Sequence, residues 1–195
     1  MNNKNKKSKT YEEFVEKFKP KKTTDDCYTP ADVYEAIKEF ALAEYKKEQK
    51  SKPKIIRPFY PGGDFENYDY PANAFVCDNP PFSIFSKILD FYIKNNIKFF
   101  LFYDTRMAIS PLKKRADKNL SLVMCGVSIT YENGAKVATC FYTNIYKKSK
   151  IILSYDLQKK IADCASQPKK AKRQKKRREP YFYSGTDLTS LLNNI

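Results

Sequence analysis

Asp78, Asn79, Pro80, Pro81 and Phe82 stand in a row. Between them they offer what an amino group on an aromatic ring needs before it can act as a nucleophile. The lone pair of such a nitrogen is delocalised into the ring, so both N–H bonds must be held while the lone pair turns toward an electrophile. The Asn79 side-chain oxygen supplies one acceptor and the Pro80 carbonyl a second. Proline suits that place because its ring fixes φ and brings no competing backbone donor, and Pro81 restricts it further. Phe82 adds a ring on which a base turned out of a duplex can stack, after an unstacking cost of a few kcal/mol. A double proline is also a common strand stop, so a strand-ending turn is the other reading of these residues.

The chain has no histidine. Imidazole bases, His-containing zinc sites and histidine proton shuttles are thereby excluded. Cys27, Cys77, Cys125, Cys140 and Cys164 are odd in number and far apart; they read as reduced, mostly buried thiols and not as a metal site. The two acceptors described above need neither a base nor a metal.

The elements that must position them follow from hydrophobic periodicity. Residues 74–78 read as a strand, and Ser83 can cap a helix whose apolar positions Ile84, Phe85, Ile88, Leu89 and Tyr92 match helical spacing. The apolar run 97–103 is the next strand, so strand, turn, helix and strand form a parallel crossover unit. In open α/β sheets ligands bind beyond the carboxyl ends of strands, and residues 78–83 fall there. Upstream, Thr29 as cap and Pro30 in the first turn open a helix with Val33, Ile37, Phe40 and Ala41 on one face, running to about residue 48. Residues 54–59 read as a strand that breaks at Pro61, Gly62 and Gly63. Downstream, 120–125, 127–132 and 137–146 are strand-like, with Asn133 and Gly134 marking a hairpin, and a helix is expected from Ser154 to about residue 165. The expectation is an α/β fold whose sheet is mainly parallel, with an antiparallel hairpin at one edge and helices on both faces.

The 195 residues suffice for one core. Residues 1–25 read as an N-terminal arm with a short helix from Thr10, 26–168 as the main domain, 169–179 as a basic linker and 180–195 as a short helical segment. The net charge of +15 is uneven: residues 1–9 carry +4, residues 169–178 carry +8, and 10–168 only +5. Such an excess points to a polyanionic partner, because neutralising phosphates releases counterions. The basic run, with Lys172, Arg173 and Arg177, holds no aromatic residue, so phosphate contact is all it offers; a solvated linker is the equal alternative. No stretch approaches the roughly 20 apolar residues of a membrane span, and the first nine residues lack a signal peptide's apolar segment, so a cytoplasmic location is expected.

The tetrad beginning at Asn79 resembles the Asn/Asp, Pro, Pro, Tyr/Phe motif of amino-methyltransferases that use S-adenosylmethionine. Further blocks narrow the likeness. Tyr28, Thr29 and Pro30 before a helix, then residues 57–64 (Arg-Pro-Phe-Tyr-Pro-Gly-Gly-Asp), then 78–83 and 131–136 look like successive blocks of phage and prophage adenine-specific DNA methyltransferases related to restriction-modification enzymes. The resemblance covers about residues 26–146. It implies an abbreviated Rossmann-like methyltransferase sheet, adenine N6 in DNA as acceptor, and catalytic roles for Asn79, Pro80, Pro81 and Phe82. It also implies contacts from Tyr28, Thr29, Pro30, Phe59, Gly62, Gly63, Asp64 and Asp78 to the methyl donor; an ordinary turn is the other reading of the two glycines.

Residues 60–73 leave no room for a crossover helix between the first strand and the motif strand, and no acidic residue obviously serves the donor's ribose. Glu66 and Asp69 are the substitutes, against the alternative of solvated loop carboxylates. These elements are expected to leave no room for a separate target-recognition domain. Sequence choice would fall to the 104–120 loop, to the hairpin around Asn133, or to a partner subunit or second copy. Lys113, Lys114 and Arg115 are candidate phosphate contacts, or simply a charged surface loop. Two other functions fit the same residues: an amino-methyltransferase acting on RNA or a protein amide, and a methyltransferase-like module that binds nucleic acid without catalysis.

Overall fold

The computed structural model describes residues 28–59, 64–148 and 151–168. Helix α1 (Ala31–Glu48) leads into strands β1 (Lys54–Ile56) and β2 (Ala74–Asp78). Helix α2 (Phe85–Lys94), strand β3 (Lys98–Asp104) and the six-residue helix α3 (Ile109–Lys114) follow. The chain then forms the long pair β4 (Ser121–Thr130) and β5 (Lys136–Thr143), strand β6 (Ile151–Leu153) and helix α4 (Tyr155–Asp163). The sheet order is β1-β2-β3-β5-β4-β6. Pairings β1/β2, β2/β3 and β4/β6 are parallel and β5 is antiparallel to both its neighbours. Every strand but β5 therefore points the same way.

Side chains alternate across the pleat. Phe75, Cys77, Phe100, Phe102, Val123 and Phe141 face α1 and α4. Val76, Phe99, Leu101, Leu122 and Tyr142 face α2. Helices on both faces are thus observed, as expected. The stripe Val33, Ile37, Phe40 and Ala41 of α1 is buried, as is Ile88, Leu89 and Tyr92 of α2. Each of the larger aliphatic and phenylalanine side chains among them contributes roughly 1.5–3 kcal/mol.

Several expectations are corrected. The hairpin does not lie at the sheet edge: β5 inserts between β3 and β4, and β6 pairs outside β4. Strand β1 ends at Ile56 instead of residue 59, because Pro58 has no N–H to give a ladder and the Phe59 N–H turns to the Asp78 carboxylate. Thr29 is not the cap of α1; Pro30 occupies that position and no side chain caps it. Ser83 does not cap α2, since a 3-10 turn at Phe82–Ile84 intervenes. The 104–120 segment holds another 3-10 turn and α3 instead of being all loop. The helix from Thr10, the basic run and the C-terminal segment lie outside the described residues.

The two strands expected at 120–125 and 127–132 are one strand with a register shift between Met124 and Val127. Gly126 sits at that bulge with φ +65°, and an added Cβ would meet only Gln158 Nε2, at 3.6 Å. Space is available but the backbone is left-handed. Gly126→Ala should therefore destabilise the fold by about 1–2 kcal/mol, read as a lower urea midpoint with an unchanged slope.

No helix connects β1 to β2 among the described residues. An aromatic cluster takes its place on the α2 face. Phe65, buried, stands at right angles to Phe91 at 5.4 Å and beside Phe59 at 5.6 Å. Tyr70 donates to the Phe65 carbonyl at 2.7 Å. The Tyr70 proton is thereby used, so in the hydroxyl pair at 3.1 Å Tyr92 is the donor.

Candidate functional site at the carboxyl ends of the strands

The strand directions bring five segments to one end of the sheet. Residues 57–59 leave β1, 79–82 leave β2 and 105–107 leave β3, all at their carboxyl ends. Strand β4 runs with them, so the turn at 131–135 emerges there too. The Tyr28 carbonyl accepts from the Glu132 N–H at 3.0 Å, which lays residues 28–30 across the same end just before α1 begins.

Asp78 is the hub. Its side chain is 2 % exposed. One oxygen accepts from Arg57 Nε at 3.3 Å and the Asn79 N–H at 3.0 Å; the other accepts from the Phe59 N–H at 2.9 Å. Burial pushes the carboxyl pKa up, against the downward pull of Arg57 and of the two N–H groups. The Arg57 guanidinium lies 3.8 Å from the centre of the Tyr34 ring, and the Tyr34 hydroxyl donates to the Cys77 carbonyl at 3.0 Å. Burial raises the Tyr34 pKa well above the usual phenol range, so it remains a donor. Carboxylate, guanidinium, ring and strand carbonyl together bind the ends of β1 and β2 to the first turns of α1.

From this support the chain enters the tetrad. Asn79 is half-buried with its Oδ1 buried, and Pro80 is buried. Pro81, at φ −58° and ψ 123°, carries the chain in extended form away from β2. The Phe82 ring meets Tyr103 edge-on at 5.3 Å, and Tyr103 stacks on Phe85 at 4.0 Å. The motif thus rests on a wall contributed by β3 and the start of α2.

The remaining expected residues divide. Tyr28 is exposed, and Thr29 is buried with a hydroxyl that has no hydrogen-bond partner. Phe59 is half-buried in the aromatic cluster. The exposed Asp64 accepts from the Glu66 N–H at 2.9 Å and from Asn67 Nδ2 at 2.7 Å. The Asn67 bond foremost, then that N–H, hold its carboxyl below the ordinary value. Both Asp64 and Asp78 spend their oxygens on the chain itself. Glu66 pairs with Lys87 at 2.7 Å, and Asp69 is exposed. Gly62 and Gly63 lie outside the described residues, as do Lys172, Arg173 and Arg177.

Lys113 and Lys114 are exposed in the last turn of α3, but Arg115 is not a surface phosphate contact. It is 5 % exposed and donates to Asp90 at 2.7 Å, to the Ser86 carbonyl at 2.9 Å and to Ser86 Oγ at 2.8 Å. Its planar fork is used up anchoring α3 to α2. Neither this burial nor a role for Tyr34, Asp104 or Arg106 is among the expectations from the sequence. At the end of β3 Asp104 accepts from the Arg106 N–H at 2.8 Å and from its Nε at 3.0 Å. A small acidic residue at a predicted strand end, two before a basic one, was the available signal.

Cys77, Cys125 and Cys140 are buried free thiols, and burial raises their pKa. Among the described residues no His, Cys, Asp or Glu group is arranged to hold a metal ion, and no helix is long and apolar enough to cross a membrane. Comparison with protein-family models, with curated proteins and with solved structures finds no match to this chain.

Two outcomes test the site's electrostatics. Asp78→Ala leaves Arg57 and two N–H groups without their acceptor and should cost about 3 kcal/mol in urea unfolding, whereas Asp64→Ala on the surface should cost under about 1. Equal losses would remove Asp78 from its central position. Arg106, through its side chain first, holds the Asp104 carboxyl below the ordinary 3.8. The stabilisation is therefore complete above that value and is lost as pH falls through the folded-state pKa. Arg106→Ala should flatten the acid limb of the stability–pH curve below about pH 4.

Proposed function

We propose that the protein is an S-adenosylmethionine-dependent methyltransferase acting on the N6 amino group of adenine in DNA. The observation that carries this reading is convergence: four blocks separated along a hundred residues of sequence, at 28–30, 57–59, 78–83 and 131–135, meet at the one end of the sheet where α/β folds bind ligands. A mere strand-ending turn at Pro80 and Pro81 would not require the other three to be there.

The donor, when bound, supplies a methyl group on a positively charged sulfur. The unpartnered buried hydroxyl of Thr29 suits a polar edge of such a molecule, and the Tyr28 and Phe59 rings suit its adenine or its positive charge. The cradle then rests on Tyr28, Thr29, Pro30 and Phe59, with Asp78 acting from beneath as the strut that fixes Asn79. Asn79 Oδ1 and the Pro80 carbonyl accept the two amino N–H bonds and hold the nitrogen lone pair toward the donor. Phe82 stacks on the extruded base, backed by Tyr103. The bound donor would give up its methyl group to that nitrogen as its own C–S bond broke, with one amino proton passing to solvent; no imidazole or metal is needed.

A second reading is favoured by one observation. The Asp64 and Asp78 carboxylates are both engaged within the chain, which suits a methyltransferase-like module that binds nucleic acid without a donor. Labelled S-adenosylmethionine with mixed duplex DNA separates the two. The wild type should transfer label to adenine. Asn79→Ala should lose about 100-fold or more while titration calorimetry still records donor binding. No donor heat and no transfer from the folded wild type would select the second reading.

A further inference from the structure

The segment that follows β3 has an inner and an outer side of opposite character. Inward, it is pinned at three points by buried polar groups. Asp104 caps the 3-10 turn Thr105–Met107 through the Arg106 N–H. The Tyr142 hydroxyl donates to the Ala108 carbonyl. Arg115 fastens the end of α3 to Asp90 and Ser86 of α2. On its two flanks, either side of the buried Ala108, it presents Met107 at 60 % and Ile109 at 63 % exposure. Lys113 and Lys114 are exposed one to two turns further on. Ile84, in the turn after Phe82, is exposed as well.

Exposed apolar side chains beside cations suit a partner that is both apolar and anionic. Duplex DNA has both properties, in its stacked bases and its phosphates. The segment stands at the same sheet end as the tetrad: Asp78 pairs with Leu101, only three residues before Asp104, and Tyr103 touches Phe82. A base brought to Asn79 leaves a gap in its stack, and apolar side chains inserted between base steps are how proteins fill or open such gaps.

We propose that Met107 and Ile109 form a wedge that enters duplex DNA beside the extruded base, with Lys113 and Lys114 on the flanking phosphates. The proposal rests on the methyltransferase reading for the destination of the base, but not for the wedge itself. Anisotropy on labelled duplexes tests it without knowledge of a target sequence, one duplex intact and one with a single abasic gap.

Wild type should bind the gapped duplex about tenfold more tightly, and the double variant Met107→Ser with Ile109→Ser should lose that preference. Lys113→Ala with Lys114→Ala should weaken both duplexes alike and reduce the salt slope by about two. Asn79→Ala should keep the gap preference. Retention of the preference by the serine variant, its absence in wild type, or tighter binding of single-stranded RNA than of either duplex overturns the wedge. Gap preference without methyl transfer by the wild type upholds the wedge and counts against the methyltransferase reading alone. Circular dichroism confirms that the exposed substitutions leave the fold intact.

Discussion

The buried carboxylate of Asp78 ties together parts of the chain that have little else in common. It closes the edge strand β1 onto β2 through the Phe59 N–H, orients Asn79 through that residue's own N–H, and fixes Arg57 against Tyr34 at the start of α1. A buried charge is tolerable only when it is paired and hydrogen-bonded, so its partners cannot be moved independently. The geometry of the tetrad is inherited from that constraint. Proline at positions 58, 80 and 81 assists by removing donors that would otherwise compete for the carboxylate or prolong the strands.

The same economy is visible between β1 and β2, where the described residues hold no helix. Parallel neighbours ordinarily need a crossover long enough to carry a helix, yet β1 and β2 are joined by a segment whose cover on one face is a set of rings from Phe59, Phe65 and Tyr70 packed on α2. Rings bury much area per residue and interlock edge to face, which lets a short loop do the covering work of a helix. That explains how a chain of 195 residues holds a sheet of six strands with the candidate site at its end.

Much of this was legible in the sequence. The motif strand was read with its observed limits, the apolar faces of α1 and α2 emerged from spacing alone, and Asn133-Gly134 marked the hairpin. What was not legible depended on contacts between distant residues. Nothing in the local pattern reveals that β5 slips between β3 and β4, because an interior strand and a half-covered edge strand can carry the same apolar residues. Lys113, Lys114 and Arg115 look alike in the sequence, yet only the arginine is buried, since the turn of α3 aims it at Asp90 and Ser86. Thr29 was expected as a cap, but the cap of α1 falls one residue later, at Pro30, and the burial of Asp78 depends on Arg57 and Phe59, about twenty residues away.

Among the described residues, strand β1 has three residues, lies at the sheet edge and pairs only with β2. Amide hydrogens in such an element exchange through local openings that cost far less than global unfolding. The two sides of the proposed site are thus unequal in stiffness. The β2–β3 side is embedded in the centre of the sheet, whereas the β1 side is a three-residue ladder backed by one carboxylate. A small molecule that settled against residues 57–59 would slow those openings, so its arrival would register in exchange protection along β1 even though it displaced no atom of the central strands.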